Sequence, residues 1–342
     1  MKAVLIFGKL DARVVDVDIP KISADEIRVK LLECGICGTD IEKYEGDFLT
    51  PPILGHETVG IIDEVGEDIK EFKKGQRVFV HHHVPCRVCY YCLKGDFTLC
   101  EQFIKFNLDP SGLAEYFRVP SEIVRKKGVF ALSDKISDDR ATFIEPLACC
   151  IRALNKIKPE IGENVAIFGG GPAGLLHLLL LNKVYGARVA VVEINEKRLE
   201  FAQKVGAEIL INPLKHDTVE ELKKWSYGRG VDVAIVATGN VEAVKQALKS
   251  LRRGGKLCLF GSPKKGTEII LDLSYVFINE IKIIPSYSTT EFEIMQSISL
   301  LERSIIEPEI LISHKFKLEE AVEALEKTRK GETIKAVIVN TK

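Results

Sequence analysis

The chain lacks an excess of charge of either sign and has no long hydrophobic run. Its 342 residues include 48 Lys plus Arg against 49 Asp plus Glu, which gives a formal net charge of -1. Proteins dedicated to nucleic acids or to membrane surfaces usually carry a basic excess, so neither partner is expected. The longest apolar stretch, 175–181, is interrupted by His177 and is too short to span a bilayer.

The sequence also lacks internal repeats, low-complexity segments and a recognisable secretion signal. Residues 1–10 contain one short apolar run without a cleavage-like site, so a cytoplasmic location is expected. Nine cysteines in a cytosolic chain should be free or metal-bound rather than paired in disulfides. The length favours two domains, and 46% hydrophobic residues can bury a large core.

Residues 1–150 and residues 151–285 differ in their pattern. The first region carries short β-like runs separated by Gly and Pro turn signals, which predicts a mostly β domain. In the second region, short apolar strands alternate with helical segments, beginning with a strand at 165–168 and a helix at 172–185. This alternation predicts βαβ units and a doubly wound parallel sheet, so the fold class is α/β.

The last segment, 286–342, leaves the alternating pattern. It carries a helix near 292–302, another near 318–330 and a strand at 336–340. A last strand that follows a nucleotide-type block often rejoins the first domain. We therefore expect 286–342 to complete the domain that begins at residue 1.

A glycine-rich turn joins the first strand and helix of the alternating region. Its G-x-G-x-x-G spacing predicts a dinucleotide site, because the glycines let backbone approach a pyrophosphate and the helix N-terminus favours phosphate. The alternative is a turn that only eases packing. The predicted cofactor residues in this turn are Gly169, Gly171, Pro172, Ala173 and Gly174.

Glu193 ends the next strand, nineteen residues after Gly174. A carboxylate there can accept both ribose hydroxyls and repel a 2′-phosphate, which favours NAD. Arg198, one helical turn on, could cover the adenosine or welcome a 2′-phosphate. Thr238 completes the predicted cofactor site.

Four cysteines have the spacing C-x2-C-x2-C-x7-C, at Cys86, Cys89, Cys92 and Cys100. Four thiolates within fifteen residues predict a tetrahedral zinc site. Iron–sulfur ligation, a zinc ribbon for nucleic acid and free thiols are the alternatives. With sulfur at all four positions no open coordination site remains, so this zinc would be structural.

Cys37, His56 and Glu57 lie in two Gly-bracketed turns of the β region. Taken singly, they are most simply a buried thiol, a satisfied histidine and a salt-bridged acid. Their order along the chain, together with the other motifs, changes that interpretation.

The motifs GICGTD, GHE, the four-cysteine lobe, AEY, EPLA and GGGPAG occur in this order. Together they resemble the zinc-containing medium-chain dehydrogenases over essentially the whole chain. The EPLA form is similar to the sorbitol and threonine dehydrogenase branches rather than to simple ethanol dehydrogenases. The resemblance implies a GroES-like catalytic domain at 1–150 and 286–342, with a Rossmann NAD-binding domain at 151–285.

The resemblance also implies roles for individual residues. Cys37 and His56 would hold a catalytic zinc, which would make two zinc ions per chain. Glu57 would be a third ligand or one that exchanges with water, and Glu145 would bind the zinc directly or hold its water. Thr39 would hydrogen-bond the alcohol and begin a proton relay.

The chain departs from the family pattern at Glu42, five residues after Cys37, where the family often has a histidine that hands the proton to solvent. A carboxylate could do the same work, or the relay could differ. The alternative is a solvated acid that pairs with Lys43 or a similar neighbour.

The run His81-His82-His83 also looks like a metal cluster. In an extended segment His81 and His83 face one way and His82 the other, so the three could not easily join one site. We therefore expect these side chains to pack against the cysteine lobe.

These observations predict a zinc-dependent enzyme that oxidises a secondary alcohol of a polyol, sugar or sugar acid to a ketone with NAD. An L-threonine or simple-alcohol dehydrogenase on the same scaffold is the first alternative. A non-catalytic, zinc-stabilised binding protein is the second, although it would have no need for an open zinc. A dimer or tetramer, paired through the edges of the Rossmann sheet, is expected from the family.

Overall fold

A computed structural model of the chain describes residues 1–46 and 52–341. They form two units along the sequence, one of Met1–Ala148 with Thr289–Lys342 and the other of Cys149–Ser288. Among the described residues, no helix combines the length and the apolar character needed to cross a membrane.

The first unit begins with short strands joined by irregular segments. Its strands are β1 (Lys2–Gly8), β2 (Asp11–Asp16), β3 (Ile27–Gly35), β4 (Glu57–Val65), β5 (Arg77–Val80), β6 (Tyr116–Val119) and β7 (Val129–Ala131). Its helices are α1 (Gly38–Tyr44), α2 (Tyr90–Leu93), α3 (Ser121–Arg125), α4 (Asp138–Ala141) and the start of α5 (Ile144–Ile157). Strand β3 shows why these runs form strands: Ile27, Val29 and Leu31 are buried and alternate with partly exposed residues.

The second unit alternates strands with helices. Its elements after α5 are β8 (Asn164–Phe168), α6 (Pro172–Leu180), β9 (Arg188–Val192), α7 (Glu196–Lys204), β10 (Ile209–Ile211), α8 (Thr218–Trp225), β11 (Val231–Val236), α9 (Val241–Ser250), β12 (Leu251–Leu259), α10 (Leu273–Ile278) and β13 (Lys282–Pro285). The six strands are parallel in the order β10-β9-β8-β11-β12-β13. All five residues of β8 are buried, as expected for a parallel sheet covered on both faces.

The chain then returns to the first unit. The returning elements are α11 (Glu291–Glu302), β14 (Ile312–Lys317), α12 (Ala321–Arg329) and β15 (Lys335–Val339). Strand β15 pairs with β3, which gives a sheet in the order β14-β15-β3-β4-β5-β7, with β6 also on β3. The α/β fold, with a GroES-like part and a doubly wound parallel sheet, is confirmed.

Two details differ from the sequence analysis. The helix expected at 172–185 ends its α-helical part at Leu180 and continues as a π-helical turn to Tyr185. Strand β14 was not predicted, because Phe316 is its only buried residue and its sequence therefore has little apolar pattern.

Candidate active site

The pairing of β3 with β4 brings together two turns that are distant in sequence. Gly35, at the end of β3, lies opposite Glu57, at the start of β4. Cys37 caps the N-terminus of α1, two residues after β3 ends. As a result, the Cys37 sulfur, a ring nitrogen of His56 and a carboxylate oxygen of Glu57 all lie within 4.8 Å of one another.

These three side chains fit a zinc ion. A thiolate, an imidazole and a carboxylate are zinc ligands, and three protein ligands leave a coordination position open. Glu57 is buried, and its Oε1 has no hydrogen-bond partner. Burial opposes protonation of His56, yet Asp40 and Cys37 raise its pKa well above the ordinary value. The charges of Asp40 and Cys37 therefore favour a positive charge next to His56.

Asp40 supports this site and was not assigned a role from the sequence. Its buried carboxylate accepts hydrogen bonds from the Cys37 N–H and the Gly55 N–H, each at 2.9 Å. Its Oδ1 lies 3.5 Å from Nδ1 of His56. Burial alone would raise the pKa of Asp40, but the charges of His56 and Lys43 hold it below its usual range. A carboxylate placed behind a ligating histidine fixes its orientation.

The other residues of the predicted set lie on neighbouring helices. Oγ1 of Thr39, on α1, lies 3.4 Å from Nε2 of His56. Glu42 is half-buried, one turn further along the same helix. Glu145 is buried in the first turn of α5. In the described chain, the mutually close ligand atoms at this site do not include Glu145. Burial raises the pKa of Glu57, and the charge of Glu145 adds to that rise.

Glu57 also forms a buried ion pair with Lys335, which the sequence does not predict. The Nζ of Lys335, which is only 2% exposed, donates to Oε2 of Glu57 and to the carbonyl of Ile36 at 3.1 Å. Gly35 makes room for this pair, since a Cβ there would lie 1.9 Å from Oε2 of Glu57. The sequence offered no signal, because a lysine that opens an apolar strand is usually solvated.

The three consecutive histidines lie between β5 and the cysteine lobe, where residues 81–86 form no regular strand. The rings of His81 and His83 both lie near that of Phe103, at 6.4 and 5.2 Å, so packing against the cysteine lobe is present. The rings of His82 and His83 are in contact, with centroids 3.7 Å apart, and the His82 ring is 4.9 Å from that of His56.

The four-cysteine lobe forms a second metal-ligand group. The four sulfurs lie within 4.8 Å of one another, and those of Cys86 and Cys92 are 3.9 Å apart. Sulfurs bonded to one tetrahedral zinc at about 2.3 Å would be about 3.8 Å apart. The Val88 N–H, followed by the Cys89 N–H, lowers the pKa of the Cys86 thiol to about 6 against the effect of burial. This donor set fits a closed zinc site.

The glycine-rich turn follows β8 and precedes α6. Gly169 has a φ of 106°, which favours glycine, and a Cβ at Gly174 would lie 1.9 Å from the Gly169 carbonyl oxygen. A Cβ at Gly171 would meet only the Arg198 guanidinium, at 3.9 Å. The first and third glycines are therefore required by the turn and its packing, and the second leaves the backbone open to a ligand. Pro172 and Ala173 begin the helix.

Glu193 lies beside this turn. Its carboxylate accepts the Gly170 N–H at 2.7 Å and the Asn195 N–H at 2.9 Å, and it lies 3.8 Å from the Arg198 guanidinium. Thr238 follows β11, and its Cβ is 3.5 Å from the position of a Cβ at Gly169. The predicted cofactor residues are thus gathered at the carboxyl ends of β8, β9 and β11, where doubly wound sheets bind ligands.

Two family models match the chain. The first, an alcohol dehydrogenase GroES-like domain, matches residues 23–128, and the second, a zinc-binding dehydrogenase, matches residues 172–303. The chain is 33% identical to a sorbitol dehydrogenase of Bacillus subtilis (strain 168), over 99% of this chain and 97% of that one. It is also 33% identical to an L-threonine 3-dehydrogenase of Pyrococcus furiosus, over 96% and 95% of the two chains.

Solved structures agree with these relatives. A zinc-binding dehydrogenase from Sinorhizobium meliloti 1021, solved with NADP bound, superposes with a TM-score of 0.90 at 29% identity. The alignment covers 99% of this chain and 98% of that one. The chain therefore belongs to the zinc-containing medium-chain alcohol dehydrogenase family, in its sorbitol- and threonine-dehydrogenase-like branch.

Proposed function

We propose that this zinc-dependent dehydrogenase oxidises a secondary alcohol of a polyol, sugar or sugar acid to a ketone, with hydride transfer to NAD. The observation that carries the substrate class is a pair of buried carboxylates: Glu57, which is grouped with Cys37 and His56, and Glu145, whose charge acts on Glu57. They make this part of the first unit more polar than a simple alkanol would require. The similarity to a sorbitol dehydrogenase supports the same substrate class.

In this proposal Cys37, His56 and Glu57 hold one zinc, and Glu145 binds it directly or holds its water. The cysteine lobe holds the second zinc. When bound at the open site, zinc supplies a Lewis acid that lowers the pKa of a substrate hydroxyl. Thr39 would accept the hydrogen bond of that hydroxyl through Oγ1 and, as it takes up the substrate's proton, would pass its own hydroxyl proton on toward solvent. Asp40 would keep the His56 ring in place.

A panel of substrates tests the proposed function. Incubation with NAD⁺ and polyols, L-threonine or simple alcohols is followed by the absorbance of NADH. We expect kcat/KM for the best polyol to exceed that for butanol by about 10²-fold, because an analogue without the second hydroxyl leaves a buried polar group unpaired at a cost of about 1–3 kcal/mol. Fastest oxidation of L-threonine or butanol would favour the first alternative, and no turnover would favour a binding protein.

The preference for NAD over NADP forms a second prediction. Both oxygens of Glu193 are held by backbone N–H groups. An acid at the end of the second strand of such a sheet favours free ribose hydroxyls over a 2′-phosphate, which supports this preference. In Glu193→Ala, the ratio of kcat/KM with NAD to kcat/KM with NADP should fall. The matched control is Glu196→Ala, whose carboxylate instead bonds Asn212 and Lys215. An NADP preference that Glu193→Ala leaves unchanged would show that Arg198 or another cation dominates.

We also propose that Glu42 carries the proton from Thr39 toward solvent. Glu42→Gln should lower kcat by about 10²-fold, the low end for general acid–base help, and change the pH profile. Small added bases should restore part of the loss. Glu45→Gln, at the end of the same helix, is the control. Wild-type behaviour of Glu42→Gln at every pH would mean that the proton leaves by another route.

Finally, we propose a homodimer or tetramer that pairs through the edge of the parallel sheet. Strand β13 lies at that edge, and Leu273, Phe277 and Ile278 on the preceding α10 are exposed. Exposed apolar clusters of this kind favour protein association. Sedimentation equilibrium that returned the mass of one chain, 38.1 kDa, would contradict this proposal.

A further inference from the structure

Beside the proposed catalytic zinc site lies a group of buried polar atoms without partners. Nδ1 of His82 and both ring nitrogens of His83 are buried and have no hydrogen-bond partner. The hydroxyl of Thr289 is buried and unpartnered as well, and the backbone of this residue faces His81. All four residues belong to the first unit.

Unpartnered nitrogens of this kind call for a ligand. Leaving a buried donor or acceptor unsatisfied costs about 1–3 kcal/mol, so nearly all such groups in folded proteins find a partner. Packing alone would be served better by phenylalanine, which fills a similar volume without polar atoms. The neighbouring Phe103, whose ring touches that of His83, already fills this role. The nitrogens of His82 and His83 are therefore expected to hydrogen-bond a ligand.

The chemistry of the two rings limits what they can bind. Among the described residues, the groups with converging metal-ligand atoms do not include these histidines. An imidazole ring can donate one hydrogen bond and accept another, as an alcohol hydroxyl also can.

The position of the two rings indicates which hydroxyl of the substrate each could bind. The ring of His82 lies next to that of His56, at 4.9 Å, and the ring of His83 follows at 3.7 Å from His82. A substrate whose reacting hydroxyl lies at the His56 site would bring the hydroxyl of the adjacent carbon toward His82. In a longer polyol the next hydroxyl would approach His83.

From this geometry we infer that His82 and His83 form a subsite that binds the non-reacting hydroxyls of the substrate next to the one that is oxidised. The inference rests on the proposed polyol activity and names the residues that select for it. Under this inference the protein recognises vicinal hydroxyls. His82 binds the hydroxyl on the carbon next to the reacting one, and His83 binds the hydroxyl after that.

The test compares 2,3-butanediol with 2-butanol, which differ by one hydroxyl, on the zinc-loaded protein. His82→Phe keeps an aromatic ring but removes both nitrogens. We expect the ratio of kcat/KM for the diol to that for the mono-alcohol to fall by about 10–10²-fold, the effect of one hydrogen bond at a buried site. His82→Asn, which keeps a donor and an acceptor near the Nδ1 position, should retain most of the ratio. His83→Phe should lower the ratio of a hexitol to 2,3-butanediol instead.

Binding provides a readout that does not depend on turnover. Calorimetry in the presence of NADH should give a Kd for 2,3-butanediol that rises in His82→Phe by the same factor. The matched control is His177→Phe, a buried histidine of the second unit whose Nδ1 lies 2.8 Å from the Ala173 carbonyl oxygen. It should leave the diol to mono-alcohol ratio unchanged. Zinc content is measured for each variant, and His83→Phe, whose ring contacts His82 and Phe103, decides the question if His82→Phe loses metal.

The two proposals fail in different ways. If the wild-type protein prefers 2-butanol to every polyol, the proposed polyol activity is wrong. If the wild-type protein prefers polyols while His82→Phe and His83→Phe keep the wild-type ratios and Kd, the subsite is overturned and the activity stands. If nothing is turned over, the Kd alone decides: equal values in the wild-type protein and His82→Phe overturn the subsite.

Discussion

Replacing Lys335 with methionine is expected to destabilise the folded protein by about 3–5 kcal/mol, the usual cost of removing one partner of a buried ion pair. The reason is the position of Glu57, which is fully buried and receives the Lys335 ammonium at Oε2. Without that ammonium, Glu57 must stay charged in the interior, take up a proton or turn toward a metal. Differential scanning calorimetry should show a Tm lower by roughly 10 °C, at about 2–4 °C per kcal/mol for a unit of this size.

A double substitution separates this loss from general damage to the core. Lys335→Met combined with Glu57→Gln removes both charges, so most of the lost stability should return. Lys224→Met is the control for losing a lysine, because Lys224 pairs with Glu220 and Glu221 on the surface and is 61% exposed. If Lys335→Met has the same Tm as the wild-type protein, another positive charge must compensate Glu57, and the proposed zinc is the nearest candidate.

The ion pair of Lys335 and Glu57 could not be predicted from the sequence. Lys335 and Glu57 are 278 positions apart, and they meet only because β3 pairs with both β4 and β15. No local pattern contains that information. The cysteine lobe and the glycine-rich turn were predictable for the opposite reason: each site is built from residues within fifteen positions, so spacing alone carries the geometry.

The role of Asp40 could not be predicted for a related reason. Asp40 lies inside the GICGTD motif, but an acid in the first turn of a helix is common. Its contact with His56 forms only because the pairing of β3 with β4 brings the two turns together. The contact between the rings of His82 and His56 likewise depends on tertiary placement and not on a local pattern.

The second large effect is expected from Cys89→Ser. Removing one of four thiolates should cost the lobe its metal, so zinc content should fall from two ions per chain to one. The loss of stability should exceed the loss of chemistry, because a structural zinc contributes about 10–16 kcal/mol in small zinc domains and that binding energy is folding energy. Metal analysis together with the Tm measures both, and iron in place of zinc would contradict the assignment.

The lobe is expected to depend on a metal because few other interactions stabilise it. Its core consists of Cys86, Cys92, Cys100 and Phe103 with a few half-buried neighbours, while Val88 and Leu93 are each 76% exposed. So small an apolar cluster cannot offset the conformational entropy of ordering the segment, and a metal that binds four thiolates can. The control is Cys258→Ser, a buried thiol of β12 outside both ligand groups, whose pKa burial raises to about 12. That variant should keep two zinc ions, and a Cys89→Ser protein that also kept two would show that the lobe holds no metal through this thiolate.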